Sequence, residues 1–230
     1  MKKKILFITG TDTDIGKTYV ARVLADTFAS LGQKVSYMKP VQTGCYQNGS
    51  GDLRAPDADF VFKGDAEMVL PYEVHVPYRF EPACSPHLAA QMKGVSICAD
   101  HLKKCLDAIS RKADITIIEG AGGVMVPLTE NYFMLELIKR FTSPALLVTS
   151  GKLGTLNHTR LSVDSLKSAG VAVSGAVVNN PEKKCKDFIY SDNLKMIEQF
   201  LIPSPVLELP FGAQVSESVK EFCNEIDGRI

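Results

Sequence analysis

Residues Lys4–Thr18 read KILFITGTDTDIGKT, an apolar strand that stops at a Gly/Asp/Thr loop and resumes as a helix at Gly16-Lys17-Thr18. That order builds a phosphate cradle, because loop N–H groups turn inward and the helix adds the positive end of its dipole. Lys17 is suited to neutralise the β and γ phosphates of a nucleoside triphosphate, and the Thr18 hydroxyl to ligate magnesium. Thr13, Asp14, Ile15 and Gly16 complete the expected nucleotide contacts. The usual first glycine falls at Thr11, with Gly10 one residue earlier, so the loop is a variant. Gly-Lys-Thr also occurs in ordinary turns, and here the flanks decide. Ile5, Leu6, Phe7 and Ile8 suit a parallel strand buried on both faces, while Val20, Val23, Leu24, Phe28 and Leu31 recur at helical spacing.

The same alternation continues along the chain. Strands are expected at 4–9, 34–39, 114–119, 144–149, 171–178 and 205–209. Helical patterns fall at 17–31, 85–93, 99–112, 131–141, 155–169, 190–200 and 215–226, several closed by glycine. Alternating strands and helices specify an α/β fold: a P-loop NTPase-like, doubly wound, mainly parallel β-sheet with helices on both faces. Residues 1–230 are expected to form a single nucleotide-binding domain. The Gly/Asn/Asp-rich stretch from Gly44 to Ala58 reads as a long polar loop and the only candidate linker. A long loop in a compact domain is usually functional, and ligands in such sheets sit outside the carboxyl ends of the strands.

Composition narrows the partners. Lys+Arg and Asp+Glu number 26 each among 230 residues, so no basic field favours nucleic acid. No apolar stretch approaches the roughly 20 residues of a membrane helix, and Lys2–Lys4 precede too short a run for a signal peptide. A soluble, cytoplasmic protein is expected. Cysteines at 45, 84, 98, 105, 185 and 223 form no Cys-x-x-Cys pair, which argues against zinc and for free thiols. The four histidines are equally dispersed.

Other segments carry chemistry beside the loop. Ile115–Gly123 reads ITIIEGAGG: a buried strand ends in Glu119, where a carboxylate can meet the metal, and Gly120, Ala121 and Gly122 let phosphates approach. Asp57 offers a second carboxylate, with Asp59 as its competitor. Lys39, ending a buried strand before Pro40, either faces the ligand cleft or is a surface lysine at a strand terminus, and Thr43 follows four residues later. Thr149–Thr159 (TSGKLGTLNHT) sets a Gly-rich turn before a helix, either an anion site or a plain connection. Asn179-Asn180-Pro181 puts side-chain amides after a strand, where they read a purine edge or simply form a turn.

Taken together, these residues resemble the dethiobiotin synthase family. The carriers are Gly10–Thr18, Lys39-Pro40-Val41 with Thr43-Gly44, Leu53-Arg54 with Asp57-Ala58, Ser85-Pro86-His87, Glu119–Gly123, Lys152-Leu153-Gly154 with Asn157-His158, and Asn179. The resemblance implies an ATP-dependent ligase of biotin biosynthesis that joins CO2 to 7,8-diaminononanoate and closes a cyclic urea through a carbamate and a carbamic-phosphoric anhydride. It implies magnesium held by Thr18, Asp57 and Glu119, catalysis by Lys17 and Lys39, and a diamine positioned by Thr13, Lys39 and Thr43. Adenine contacts fall to Asn179 and to Glu208-Leu209-Pro210. The resemblance also implies a homodimer, in which Gly151, Lys152, Leu153, Gly154 and Asn157 of a second subunit hold the substrate carboxylate. Two departures stand out: Asp14 replaces the family's glutamate, and Tyr190 is out of register with a tyrosine at the substrate carboxylate.

The rival class is a deviant P-loop partitioning or switch ATPase. Those proteins carry an extra loop lysine where this chain has Asp12, and commonly an amphipathic tail where this chain ends EFCNEIDGRI. A guanine switch fits less well, since Asn179-Asn180-Pro181-Glu182 lacks Asn-Lys-x-Asp.

Overall fold

The computed structural model describes residues 3–63, 68–180 and 187–230; Pro181, Glu182 and Cys185 lie outside them. In chain order, the first elements are β1 (Lys4–Gly10), α1 (Lys17–Ser30), β2 (Val35–Met38), β3 (Val41–Thr43), β4 (Tyr46–Gln47), β5 (Leu53–Arg54) and α2 (Pro56–Phe62). There follow α3 (Tyr72–His75), β6 (Tyr78–Phe80), α4 (Pro86–Met92), α5 (Ala99–Ser110), β7 (Ile115–Gly123), β8 (Pro127–Thr129) and β9 (Tyr132–Phe133). The remainder comprises α6 (Met134–Phe141), β10 (Ala145–Thr149), α7 (Thr155–Ser168), β11 (Val173–Asn179), α8 (Phe188–Leu201), β12 (Val206–Leu209) and α9 (Glu217–Asp227).

Six parallel strands form the central sheet in the order β12-β11-β10-β1-β7-β2. Side chains alternate across it with period two. Leu6 and Ile8 join Val20, Leu24 and Phe28 of α1 and Phe222 of α9 on one face. Phe7 turns the other way, onto Leu106 of α5 and Ile138 and Phe141 of α6. Farther along that sheet, Leu147 and Val178 meet Val163 of α7 and Ile197 of α8. Both faces are therefore covered, which is why the strands read as unbroken apolar runs. The chain winds to one side of β1 for β2 and β7 and to the other for β10, β11 and β12. That reversal opens a crevice at the carboxyl end of β1.

Two expectations are corrected. Residues 44–58 form no linker: β4 and β5 pair as an antiparallel hairpin, Tyr46 opposite Arg54 and Gln47 opposite Leu53. Its tip is fixed by Asn48, whose Oδ1 accepts from the N–H groups of Ser50 and Asp52, an Asx turn. Pro56 then opens α2, with Asp57 and Asp59 in its first turn. The helix expected over 131–141 starts only at Met134, because Tyr132 and Phe133 pair with Thr129 and Pro127. The Glu136 carboxylate accepts from the Phe133 N–H there and caps the helix start.

Candidate active site

The loop after β1 is tightly wound. Asp14 has φ 56° and Gly16 φ 93°, both left-handed, the second at the cost-free residue for that conformation. A side chain at Gly16 would also collide with Asn179, whose Nδ2 would lie 2.0 Å from the added Cβ. Asn179 stands close because it donates to the Ile15 carbonyl at 2.9 Å, tying the loop to the end of β11. The Lys17 ammonium folds back onto the Asp12 carbonyl at 2.8 Å. Burial, and then the nearby charge of Lys39, lower its pKa to about 8.

Beside the loop, β2 and β7 are neighbours in register, Met38 opposite Ile118, so Lys39 and Glu119 emerge together at the strand ends. Their exposures are 3% and 1%. The Lys39 ammonium lies 2.5 Å from Asp57 Oδ2 and 2.7 Å from Glu119 Oε1. Thr18 donates to the same Oε1 at 2.8 Å, and the Tyr37 hydroxyl to Oε2 at 2.7 Å. Burial by itself would lower the Lys39 pKa; Glu119 and Asp57 outweigh it and raise the value above that of a free lysine. Burial would raise Asp57, and Lys39 reverses it, holding the carboxyl below the ordinary range. Burial and the Glu119 charge push the Tyr37 phenol well above its usual value.

Asp57 and Asp59, equivalent on paper, separate here. Asp59 pairs with Arg54 at 2.7 Å and accepts from Tyr46 and Tyr72, away from Lys39. Sequence reasoning missed Tyr37, although it lies two residues before Lys39 and so on the same face of the strand. It also missed Gln42, which lines the same cavity as Asp57 and donates to the Thr43 carbonyl at 2.9 Å.

A cavity of about 970 Å³ opens over this cluster. Thr13, Asp14, Gly16, Lys17, Thr18, Lys39, Thr43, Asp57, Glu119, Ala121 and Gly122 line it, with Val41, Phe60, Pro86 and Val126 as its apolar walls. Gly120 lies beneath, where a side chain would strike Phe7 at 2.9 Å. Gly151, Lys152, Leu153, Gly154, Asn157, Asn179, Glu208, Leu209 and Pro210 do not line this cavity. The turn at Gly151 packs under the Tyr190 ring, and Asn193 donates to the carbonyls of Gly151 and Lys152. Tyr190 is buried, and burial first, then the neighbouring Glu208, raises its phenol pKa.

The donor set suits a hard divalent cation. Two carboxylates converge on one cationic group, the Lys39 ammonium, and one of them also takes the Thr18 hydroxyl. Among the described residues no group of three or more His, Cys, Asp or Glu forms an all-protein cage. Few protein oxygens beside a phosphate loop is the pattern of magnesium, which keeps waters and takes phosphate oxygens as ligands.

A family described as an AAA domain matches residues 4–218. The ATP-dependent dethiobiotin synthetase BioD of Fusobacterium nucleatum is 37% identical over 199 residues, covering 86% of this chain and 87% of that protein. The chain belongs to the dethiobiotin synthetase family. The Aeromonas hydrophila enzyme of the same name is 36% identical over 210 residues, 90% of this chain and 91% of the other. Among solved structures, the cell division ATPase MinD of Pyrococcus furiosus superposes with a TM-score of 0.60 at 18% identity, each chain covered in full. A chain of the Aquifex aeolicus MinC:MinD cell division protein complex gives 0.59 at 14%, covering 95% of this chain and 86% of the other. These likenesses show the P-loop α/β fold, whereas family membership rests on the synthetases. Among the described residues no helix is long and apolar enough to cross a membrane.

Proposed function

We propose that residues 1–230 form one catalytic unit that uses ATP to carboxylate and ring-close 7,8-diaminononanoate, giving dethiobiotin, ADP and phosphate. One observation carries the reading beyond family membership. A buried lysine, Lys39, is held between two carboxylates beside a phosphate loop, in a cavity of about 970 Å³, roomy enough for phosphates and a small diamine.

In the proposed sequence, one amine of the diamine adds to CO2 and loses a proton, forming a carbamate. A carbamate oxygen then attacks the γ-phosphorus as the bond to ADP breaks, giving the carbamic-phosphoric anhydride. The second amine attacks the carbamoyl carbon; its C–N bond forms, the C–O bond to phosphate breaks, and the amine proton is released. Lys17, already beside the loop, gains full charge as it meets the phosphates. Lys39 offsets the anionic carbamate and the charge that develops during transfer. Thr13 and Thr43 orient the diamine, so that ring closure is intramolecular. Thr18, Asp57 and Glu119 would hold magnesium, which when bound supplies further neutralisation of the phosphoryl oxygens.

Adenine recognition is assigned to Asn179, at the end of β11, and to Glu208-Leu209-Pro210, at the end of the neighbouring β12. The carboxylate end of the substrate is assigned to Gly151, Lys152, Leu153, Gly154 and Asn157 of a second copy. Two facts support that homodimer. The turn does not line its own chain's cavity, and Leu153 within it and Phe188 at the start of α8 are 85% and 83% exposed, apolar surface that a partner would cover. The switch-ATPase alternative loses support at Asp12, which stands where the extra lysine would be and whose carbonyl accepts from Lys17.

The test incubates the protein with ATP, magnesium, bicarbonate and 7,8-diaminononanoate and measures dethiobiotin and phosphate. Equal amounts of both are expected. ATP turnover indifferent to the diamine, with no cyclic urea, refutes the reading.

A further inference from the structure

Glu119 is the most buried carboxylate of the site, and its two oxygens are not equivalent. Oε1 is shared by Thr18 and Lys39, at 2.8 and 2.7 Å; among the described residues Oε2 takes the Tyr37 hydroxyl, at 2.7 Å. A glutamate rotates broadly about its last torsion, so a carboxylate without a fixed outer partner can offer either oxygen, or both, to a cation. Tyr37 itself has little freedom. It lies on β2 opposite Ile117, is 1% exposed, and meets Phe62 edge-on with ring centroids 5.6 Å apart. Phe62 in turn meets His75 edge-on at 4.9 Å, and the His75 Nδ1 lies 2.6 Å from the Tyr37 carbonyl. The phenol is thus seated by packing on one side and by the backbone on the other, and its oxygen aims at one carboxylate atom.

We propose that Tyr37 is a positioning residue for the metal-holding carboxylate: its hydroxyl takes Glu119 Oε2 and so reserves Oε1 for the divalent cation beside Thr18. The proposal rests on the assignment of Thr18, Asp57 and Glu119 as metal ligands. Outer partners of this kind orient ligands, and their loss typically lowers metal affinity or activity by about 10- to 100-fold. A role in core packing alone would need the ring and not the hydroxyl.

The test is Tyr37→Phe, which keeps the ring. Manganese binding is measured by electron paramagnetic resonance in the presence of a non-hydrolysable ATP analogue, and dethiobiotin formation is followed against magnesium concentration. Manganese affinity is expected to fall about 10-fold or more. The half-saturating magnesium concentration should rise in parallel, and excess magnesium should restore kcat. Unchanged manganese affinity, or a kcat loss that magnesium does not relieve, overturns the proposal. Phe62→Leu loosens the seat while keeping the hydroxyl, and should lower thermal stability and cost less manganese affinity than Tyr37→Phe. An equal affinity loss in that variant would reduce Tyr37 to packing. Glu119→Gln and Asp57→Asn separate the two layers of the argument. If both leave manganese affinity intact, the metal assignment fails and the proposal with it; if both lower it and Tyr37→Phe does not, the proposal alone fails.

Discussion

Replacing Lys39 with methionine removes a charge from the centre of the site while roughly keeping its length and shape. The ammonium stands 2.5 Å from Asp57 and 2.7 Å from Glu119, so its loss leaves two carboxylates facing each other without their shared counter-ion. Breaking a buried ion pair on one side typically costs about 3–5 kcal/mol. The low end applies here, since Asp57 is partly open to water and Glu119 keeps the hydroxyls of Thr18 and Tyr37. About 3 kcal/mol lowers Tm by roughly 6–12 °C in a chain of this size. Magnesium should then stabilise the variant more than the parent, because a divalent cation entering between the carboxylates no longer has to displace an ammonium. Scanning calorimetry with and without magnesium reads both effects, and product assays read the third: a fall in kcat of about 10²- to 10³-fold with nucleotide binding retained. A metal-free Tm within about 2 °C of the parent would refute the energetic argument. Normal turnover would remove Lys39 from the chemistry.

ATP binding should take up a proton near pH 8. Lys17 is about half neutral there in the free protein, and opposite charge from the phosphates raises its pKa, so uptake approaches about 0.5 proton per site and fades by about pH 6.5. Calorimetric titration in buffers of different ionisation enthalpy measures it, and zero uptake at pH 8 contradicts the burial-driven shift. Gly16→Ala should abolish detectable ATP binding, because its Cβ would sit 2.0 Å from Asn179 Nδ2 at a backbone φ of 93°; retained affinity would mean that the loop can relax. Leu153→Asp should shift the protein toward monomer in light scattering and weaken diamine affinity more than ATP affinity, and an unchanged mass would count against the proposed interface. Asn157→Ala should likewise weaken the diamine more than ATP, and the reverse pattern would remove the substrate carboxylate from that turn.

The strands were legible because a parallel strand covered on both faces is an apolar run, whatever lies around it. All six expected central strands are present, β7 extending past Glu119 to Gly123. The short pieces were illegible for the opposite reason. Strands of two or three residues, such as β4, β5 and β9, are too brief to show a period and exist only because a partner segment meets them. The helix starting at Pro56 was hidden inside a polar stretch, although its proline at the first turn was a signal.

By itself, the sequence determined the phosphate loop, the alternation of strands and helices, and the family, because each is written in local order or in motifs that keep their spacing. It named Lys39, Asp57 and Glu119 as separate candidates. Only the tertiary structure joined them, by inserting β7 between β1 and β2 and so bringing Lys39 to Glu119 across 80 residues of chain. The same folding sent Asp59 to Arg54 and left Asp57 for Lys39, and it supplied Tyr37 to the far oxygen of Glu119. A buried charge must find its partners in three dimensions, and no one-dimensional pattern records which ones it finds.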